Sequence, residues 1–309
     1  MLQFDRNTYD YGAKIMDDRR RFPLLLSSFW IKILAILTMT IDHIGVMFDI
    51  TPCRYIGRLA LPLFCFMIAE GVMHTKNFNK YALRLGIMAS VISLIIVGSE
   101  TIPFFQNLRL GLRYEGIIFI DLLLGALAVY CLMNKRWYIK LLAILPLAYG
   151  IVSFIASAFD DCGCYGEVLW FPYFIRAQYG WFGIALVIGF YLARLLAKLF
   201  FKAQSLTSGI DADTYEGTRT EQIAINLISM FVIVILTVVY FFVHEIMKEY
   251  MYVRIIYQVQ LMSIISGAFI LLYNGRRGYN KKWFQYGCYL YYPLHLALIA
   301  AIAAIVFSI

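Results

Sequence analysis

The chain has 309 residues, of which 62% are apolar and only 15% are charged. Soluble proteins average about 45–50% apolar and about 25% charged residues, so one water-soluble core could not bury this much apolar surface. The net charge of +8 does not indicate nucleic-acid binding, because the basic residues fall in short loops between apolar runs and form no nucleic-acid motif.

Apolar runs fill most of the chain, and a membrane-spanning helix needs about 20 such residues. Only helices satisfy their own backbone hydrogen bonds in lipid at this length, so we predict an all-α polytopic membrane helix bundle. Residues 1–27 form a polar cytoplasmic tail, and residues 28–309 form a single transmembrane domain. About nine transmembrane helices are expected, over 28–50, 54–74, 80–98, 116–133, 140–159, 180–201, 222–243, 253–273 and 283–307.

Most lysines and arginines of the loops lie on the side that holds the N-terminus. The positive-inside rule therefore places the N-terminus in the cytoplasm and, with nine spans, the C-terminus outside. The first 22 residues contain no apolar stretch beside a cleavage site, so we expect the first span to act as an uncleaved signal-anchor. This pattern suits the cytoplasmic (inner) membrane of a bacterium.

The six cysteines are scattered and lack the spacing of a zinc site, so no metal ion is expected. Cys162 and Cys164 form a CxC pair in a predicted external loop, which we interpret as unpaired rather than redox-active. His74 and His244 lie near the ends of predicted spans, and we interpret both as solvated. Glu70, one turn before His74, is left open between a structural and a functional role.

Ionisable side chains inside a span cost roughly 2.5–3.5 kcal/mol each on insertion scales, so several at one depth need an explanation. Five ionisable side chains are predicted to lie between the midplane of the membrane and its outer surface, and they come from four different helices. They therefore predict one functional site within the membrane. The residues are Asp42, His43, Arg58, Asp121 and His295.

Asp42 and His43 are neighbours on one helix and point about 100° apart. One is therefore expected to face the bundle centre and the other a neighbouring helix. The turn at 49–53 is tight enough to bring Arg58 near either of them, and a purely structural Asp42–Arg58 ion pair is the alternative. His295 follows Pro293 in "YYPLHL", where the missing proline N–H frees a carbonyl and kinks the helix.

A histidine inside this cluster is suited to acid–base catalysis, because its pKa lies near ambient pH. A neighbouring carboxylate is the group that commonly holds the tautomer of such a base. Polar residues from four helices are equally typical of a transporter. The residues alone leave catalysis and transport open.

Five motifs resemble the TraX family in content and order, over nearly the whole chain from about residue 28. The resemblance implies an integral membrane acetyltransferase whose founding member acetylates the N-terminus of conjugative pilin. It also implies a relation to transmembrane acyltransferases such as heparan-α-glucosaminide N-acetyltransferase, which carry an acyl group from cytoplasmic acyl-CoA to an acceptor at the other face. The motifs are "KILAILTMTIDHIG" (32–45), "YIGRLALPLFCFMIAEGVMHT" (55–75), "YGWFGIAL" (179–186), "LYNGRRG" (272–278) and "YYPLHL" (291–296).

The resemblance assigns His43 as the catalytic base that takes a proton from the acceptor, with a covalent acetyl-histidine as the alternative. Asp42 would orient His43 or balance charge. Arg58 would stabilise the oxyanion or pair with Asp42. His295 would be a second proton-handling or acceptor-binding group. Asp121 joins the catalytic set, although the family often has a small polar residue near that position.

Arg276 and Arg277 are predicted to bind the phosphates of acetyl-CoA, the acyl donor, with positive-inside topology as the alternative explanation for both. The acceptor stays open among a pilin-like peptide, a glycan and another small molecule. Whether the protein forms a homo-oligomer is also left open. The competing functions are a transporter or flippase that uses the same polar cluster, although no internal repeat supports one, and a non-catalytic accessory membrane protein.

Overall fold

The computed structural model describes residues 24–101, 116–162, 168, 170–208, 212–247 and 257–307. Within these ranges the chain is helical, and pairing between extended segments is limited to two isolated bridges, Leu26–Tyr273 and Ile117–Ala177. Three 3₁₀ segments, Tyr173–Ile175, Ala212–Tyr215 and Tyr257–Ile265, lie between the α-helices. The α-helices are α1 Ser28–Met47, α2 Thr51–Gly57, α3 Ala60–His74, α4 Phe78–Thr101, α5 Ile118–Leu132, α6 Trp137–Leu141, α7 Ile144–Cys162, α8 Trp181–Ser208, α9 Arg219–Met247, α10 Ser266–Leu271 and α11 Lys282–Phe307.

Seven helical segments in the described part of the chain are long and apolar enough to cross a membrane, which confirms an all-α polytopic membrane bundle. The predicted number of nine is not reached, because two of the expected spans are shorter. The fourth contains only the 15 residues of α5, which is roughly 22 Å of helix against a hydrocarbon core of about 30 Å. The eighth contains the apolar segment Gln258–Leu271, which begins as a 3₁₀ helix.

The second predicted span is one apolar run in sequence, but it forms two helices that break at Arg58 and Leu59. Pro62 explains the break, because it has no N–H to donate to the carbonyl of Arg58 four residues earlier. The first helix ends at Met47, before its predicted end, and Asp49 follows with a φ of +54°. Residues 1–23 of the predicted tail and Cys164 lie outside the described ranges.

Helix α8 is central to the bundle and packs against α3, α5, α7 and α9. Glycines allow its close approach to α5: Gly125 faces Val187, and Gly183 faces Asp121. Small residues at such contacts are typical of helix packing in membranes. Helix α1 packs against α2, α3 and α11. It therefore lies between the helix that leads to Arg58 and the helix that carries His295.

The segment before α1 is bound to the loop between α10 and α11. Leu26 donates its N–H to Leu272 and accepts from Asn274, and Ser28 N–H donates to the carbonyl of Arg276, each at 2.9 Å. This loop contains the NGRRG sequence, and Gly275 has a φ of +70°, a conformation that L-residues with a side chain rarely adopt. We name this side of the bundle, where α1, α4 and α11 begin and α3 ends, the basic end.

Candidate active site

Asp42 forms an ion pair with Arg58 across the turn between α1 and α2. Arg58 Nη2 lies 2.7 Å from Oδ1 and 2.9 Å from Oδ2 of Asp42, and Arg54 Nη1 lies 3.2 Å from Oδ2. The sequence predicts that Arg58 lies near Asp42 or His43, and the structure shows the contact with Asp42. Arg54 was missed, although its position four residues before Arg58 places both on one helix face. A Cβ at Gly57 would overlap the Asp42 side chain, so the glycine makes room for the pair.

His43 contacts a histidine of the last helix. Its Nδ1 lies 2.7 Å from Nε2 of His295, and the two ring planes are inclined by only 18°, with 4.9 Å between the ring centroids. His295 is only 4% exposed, and its Nδ1 lies 2.8 Å from the carbonyl oxygen of Tyr291. One turn away along α1, Thr40 Oγ1 lies 2.8 Å from the hydroxyl of Tyr291. Two polar contacts therefore join α1 to α11.

The neighbours Asp42 and His43 face different helices, as their 100° separation requires. Asp42 faces α2 and its arginines, whereas His43 faces α11. The carboxylate of Asp42 accordingly balances positive charge and does not bind the His43 ring. The polar group that contacts the His43 ring belongs to a residue 252 positions further along the chain.

Asp121, in the first turn of α5, is fully buried. Its carboxylate accepts the backbone N–H of Gln178 at 2.6 Å and of Tyr179 at 3.2 Å. Gln178 and Tyr179 precede Trp181, the first residue of α8, so the carboxylate on α5 binds the segment that leads into that helix. Among the contacts described for the chain, none joins Asp121 to the histidine pair. Its described hydrogen bonds go to the backbone before α8 and not to Asp42 or Arg58.

A cavity of about 440 Å³ extends from the basic end towards the histidine pair. Its lining includes Lys76, Arg84 and Arg277 near the ends of helices, whereas Arg276 does not line it. Along α1 the lining runs from Ser28 to Met39, which is roughly 16 Å at the rise of an α-helix. Met39 precedes His43 by one turn. The cavity thus has a basic mouth and a deep end near the candidate base.

The deep end of the cavity is bounded by two aromatic rings, those of Phe119 and Tyr292. They make an edge-to-face contact at 4.9 Å between centroids. Tyr292 also presents its ring to both histidines, at 6.0 Å from His43 and 5.5 Å from His295. Tyr292 therefore contacts the cavity on one side and the histidine pair on the other.

Glu70 forms a buried polar cluster in the cavity wall. Its Oε1 lies 2.6 Å from Arg194 Nη2, and its Oε2 lies 3.3 Å from the hydroxyl of Tyr273, which in turn lies 3.0 Å from Ser28 Oγ. The buried ion pair connects α3 to α8 and leaves Glu70 on the cavity surface. Lys32, near the start of α1, also lines the cavity. A count of loop charges could not reveal that role.

His244 is buried, so the prediction that it is solvated is wrong. Helix α9 continues to Met247, beyond the predicted end of that span. His244 therefore packs between the rings of Phe154 and Tyr240, with its Nδ1 2.9 Å from the Tyr240 carbonyl oxygen. His74 is also predicted to be solvated, and 48% of its side chain is exposed.

Comparisons with known proteins identify one family. A family model described as "TraX protein" matches residues 27–208, more than half of the chain. The matched range includes His43 and Arg58, whereas the NGRRG and YYPLHL motifs lie beyond it. No solved structure matches the chain.

Two curated relatives match part of the chain. It is 30% identical over 148 residues to a probable fimbrial assembly protein FimC, serogroup H1, of Dichelobacter nodosus, an alignment that covers 45% of this chain and 58% of that protein. It is 31% identical over 149 residues to the uncharacterized protein RP591 of Rickettsia prowazekii (strain Madrid E), over 41% of this chain and 54% of that protein. The chain thus spans somewhat more than half the length of these relatives.

Proposed function

Because the chain belongs to the TraX family, we propose that it is an acyltransferase of the bacterial cytoplasmic membrane. It transfers an acetyl group from acetyl-CoA to an amine or hydroxyl acceptor. The observation that carries the proposal is the cavity with a basic mouth and a deep end beside a histidine pair. A transporter would use the same polar cluster, but the sequence shows no internal repeat of the kind that transporter folds commonly contain.

The charge and the apolar lining of the cavity support acetyl-CoA as the donor. Lys76, Arg84 and Arg277 at the mouth would bind the phosphates of the nucleotide. The deeper wall, with Ile36, Met39 and other apolar side chains, would hold the flexible arm that ends in the thioester. A volume of about 440 Å³ lies within the range of roughly 300–1,000 Å³ that is usual for small-ligand sites.

His43 acts as the general base. Its ring takes the proton of the acceptor amine or hydroxyl while that nitrogen or oxygen attacks the thioester carbonyl carbon. A new C–N or C–O bond forms, the C–S bond breaks, and the departing CoA thiolate takes the proton from His43. The products are the acetylated acceptor and CoA with a free thiol. Arg54 on α2 and Arg58 just after it both bind Asp42, the residue before His43. In this proposal the excess positive charge of these two arginines counters negative charge that develops on the carbonyl oxygen.

The acceptor is proposed to approach from the side opposite to the basic end. One relative is named a probable fimbrial assembly protein, which favours a pilin-like polypeptide over a glycan or another small molecule. An N-terminal amine of such a subunit would supply the attacking nitrogen. The proposal that the donor enters on the cytoplasmic side follows from the basic residues at the cavity mouth.

Purified full-length protein in detergent tests the proposal through acetyl-CoA binding and slow hydrolysis, since water can replace the unknown acceptor. Wild type and His43→Ala should bind acetyl-CoA equally. Hydrolysis by His43→Ala should fall by about 100-fold or more, the usual contribution of a general base. Equal hydrolysis by both proteins would remove His43 from the chemistry.

Binding of the donor in the cavity can also be measured without any enzymatic activity. Cys288 lines the cavity, whereas Cys53 lies on α2 outside its lining. In a variant that retains only Cys288, CoA should slow modification by a maleimide, and a matched variant that retains only Cys53 should be unaffected. If CoA protects neither cysteine and does not bind, the acyltransferase proposal fails and substrate transport in vesicles becomes the next measurement.

A further inference from the structure

The hydrogen bonds around His295 determine which of its ring nitrogens carries a proton. Nδ1 lies 2.8 Å from the carbonyl oxygen of Tyr291, and a carbonyl can only accept, so Nδ1 carries the hydrogen. In the neutral ring Nε2 is then a lone-pair acceptor. That nitrogen lies 2.7 Å from Nδ1 of His43, which must therefore donate. The remaining nitrogen of His43, Nε2, is left without a proton.

We infer that His295 is a positioning residue, which holds His43 in the tautomer whose Nε2 is the basic nitrogen. The inference rests on the acyl transfer proposed above and decides between two roles for His295. An acceptor-binding role would need a free ring nitrogen, but both nitrogens of His295 are already used inside the protein. When His43 takes a proton, the Nε2 lone pair of His295 stabilises the positive charge that forms.

The surroundings hold this chain of hydrogen bonds in place. The terminal acceptor is a backbone carbonyl, which cannot change its protonation state. Tyr291, which supplies it, stacks on the His295 ring at 5.0 Å and 6° and binds Thr40 on α1 through its hydroxyl. His295 is buried, whereas His43 is half-buried. By exposed surface, the positioning residue is therefore the more enclosed member of the pair.

Three variants separate positioning from structural support, with acetyl-CoA hydrolysis as the assay. His295→Phe keeps the volume but removes the acceptor, and should lower kcat by roughly 100-fold while KM for acetyl-CoA stays within about twofold. His295→Gln offers a side-chain oxygen to Nδ1 of His43 and should recover kcat to within about tenfold of wild type. Leu294→Phe, the matched control, adds a ring at the exposed position next to His295 on α11, and should retain kcat.

A spectroscopic readout tests the tautomer directly. The chain has four histidines, so ¹⁵N-histidine labelling of the full-length protein gives four ring systems, which single substitutions assign. Wild-type His43 should be protonated at Nδ1. This preference should persist in His295→Gln and be lost in His295→Phe.

The outcomes separate the inference from the proposed function. A wild-type His43 protonated at Nε2 overturns the inference, whether or not the protein turns over acetyl-CoA. So does a His295→Phe variant with wild-type kcat, or a folded His295→Gln variant as inactive as His295→Phe. Absence of binding and turnover of acetyl-CoA in wild type refutes the proposed function alone, because the tautomer measurement still decides the role of His295.

Discussion

Asp42 on α1 and Arg58, between α2 and α3, form an ion pair in which a single guanidinium nitrogen bonds both carboxylate oxygens, at 2.7 and 2.9 Å. Both side chains are at most 13% exposed. Removal of one partner from a pair this buried usually destabilises a protein by about 3–5 kcal/mol. The pair therefore has a structural role whatever it contributes to catalysis.

Asp42→Ala should accordingly lower the thermal stability of the protein in detergent by the equivalent of about 3–5 kcal/mol. Glu216→Ala is the matched control, because Glu216 pairs with Lys198 at 3.1 Å but 67% of its side chain is exposed. The control should change stability by no more than about 0.5 kcal/mol. Similar unfolding temperatures for both variants would show that the Asp42 pair contributes little.

Gly57→Ala should disrupt the same pair without changing any charge. A Cβ at this position would overlap the Asp42 carboxyl group, so Asp42 must move away from Arg58. We expect acetyl-CoA hydrolysis and the unfolding temperature to fall together. Gly287→Ala on α11 is the control, since its Cβ would meet nothing within 4 Å, and it should stabilise the helix by up to about 1 kcal/mol. Wild-type behaviour of Gly57→Ala would contradict the steric argument.

Arg277 and Arg276 are adjacent, but only Arg277 lines the cavity. Arg277→Ala should therefore weaken acetyl-CoA binding by roughly tenfold, the loss expected for one charge-assisted contact. Arg276→Ala should leave the Kd unchanged. The effect of Arg277→Ala should shrink at high salt, because ions screen an exposed guanidinium. Isothermal titration calorimetry of both variants measures the Kd for acetyl-CoA. An equal loss of affinity in the two variants would refute a role for Arg277 that depends on its place in the cavity lining.

Phe119 and Tyr292 bound the cavity where the acyl group is proposed to lie. Phe119→Ala should raise kcat/KM for octanoyl-CoA relative to acetyl-CoA by about tenfold or more, because longer chains gain space at the deep end. Phe78→Ala is a suitable control, since Phe78 stacks on Tyr130 outside the cavity lining. An unchanged preference in Phe119→Ala would mean that this ring does not set chain length.

Asp121 should contribute to stability more than to chemistry. Its carboxylate accepts two backbone N–H groups of the segment just before α8, and Asp121→Asn places an amide N–H₂ against one of them. We expect a loss of about 1–3 kcal/mol in stability, with kcat of the folded protein close to wild type. A stable Asp121→Asn variant that has lost acetyl-CoA hydrolysis would return Asp121 to the catalytic residues.

The amino-acid sequence by itself determined the class of the protein and much of its local layout. The length and apolar content of its runs specify a membrane helix bundle, because lipid leaves the backbone no other way to satisfy its hydrogen bonds. The short turn after α1 limits the distance between Asp42 and Arg58, so their contact could be anticipated. Helical periodicity also showed that Asp42 and His43 face different neighbours.

Only the tertiary structure decided which helices those neighbours are. Periodicity orients a side chain about its own helix axis, but helix–helix packing sets what lies opposite it. The pairing of His43 with His295, the burial of His244 and the position of Asp121 at α8 all depend on contacts between distant parts of the chain. The cavity is likewise formed by several helices and loops together, so no single segment encodes it.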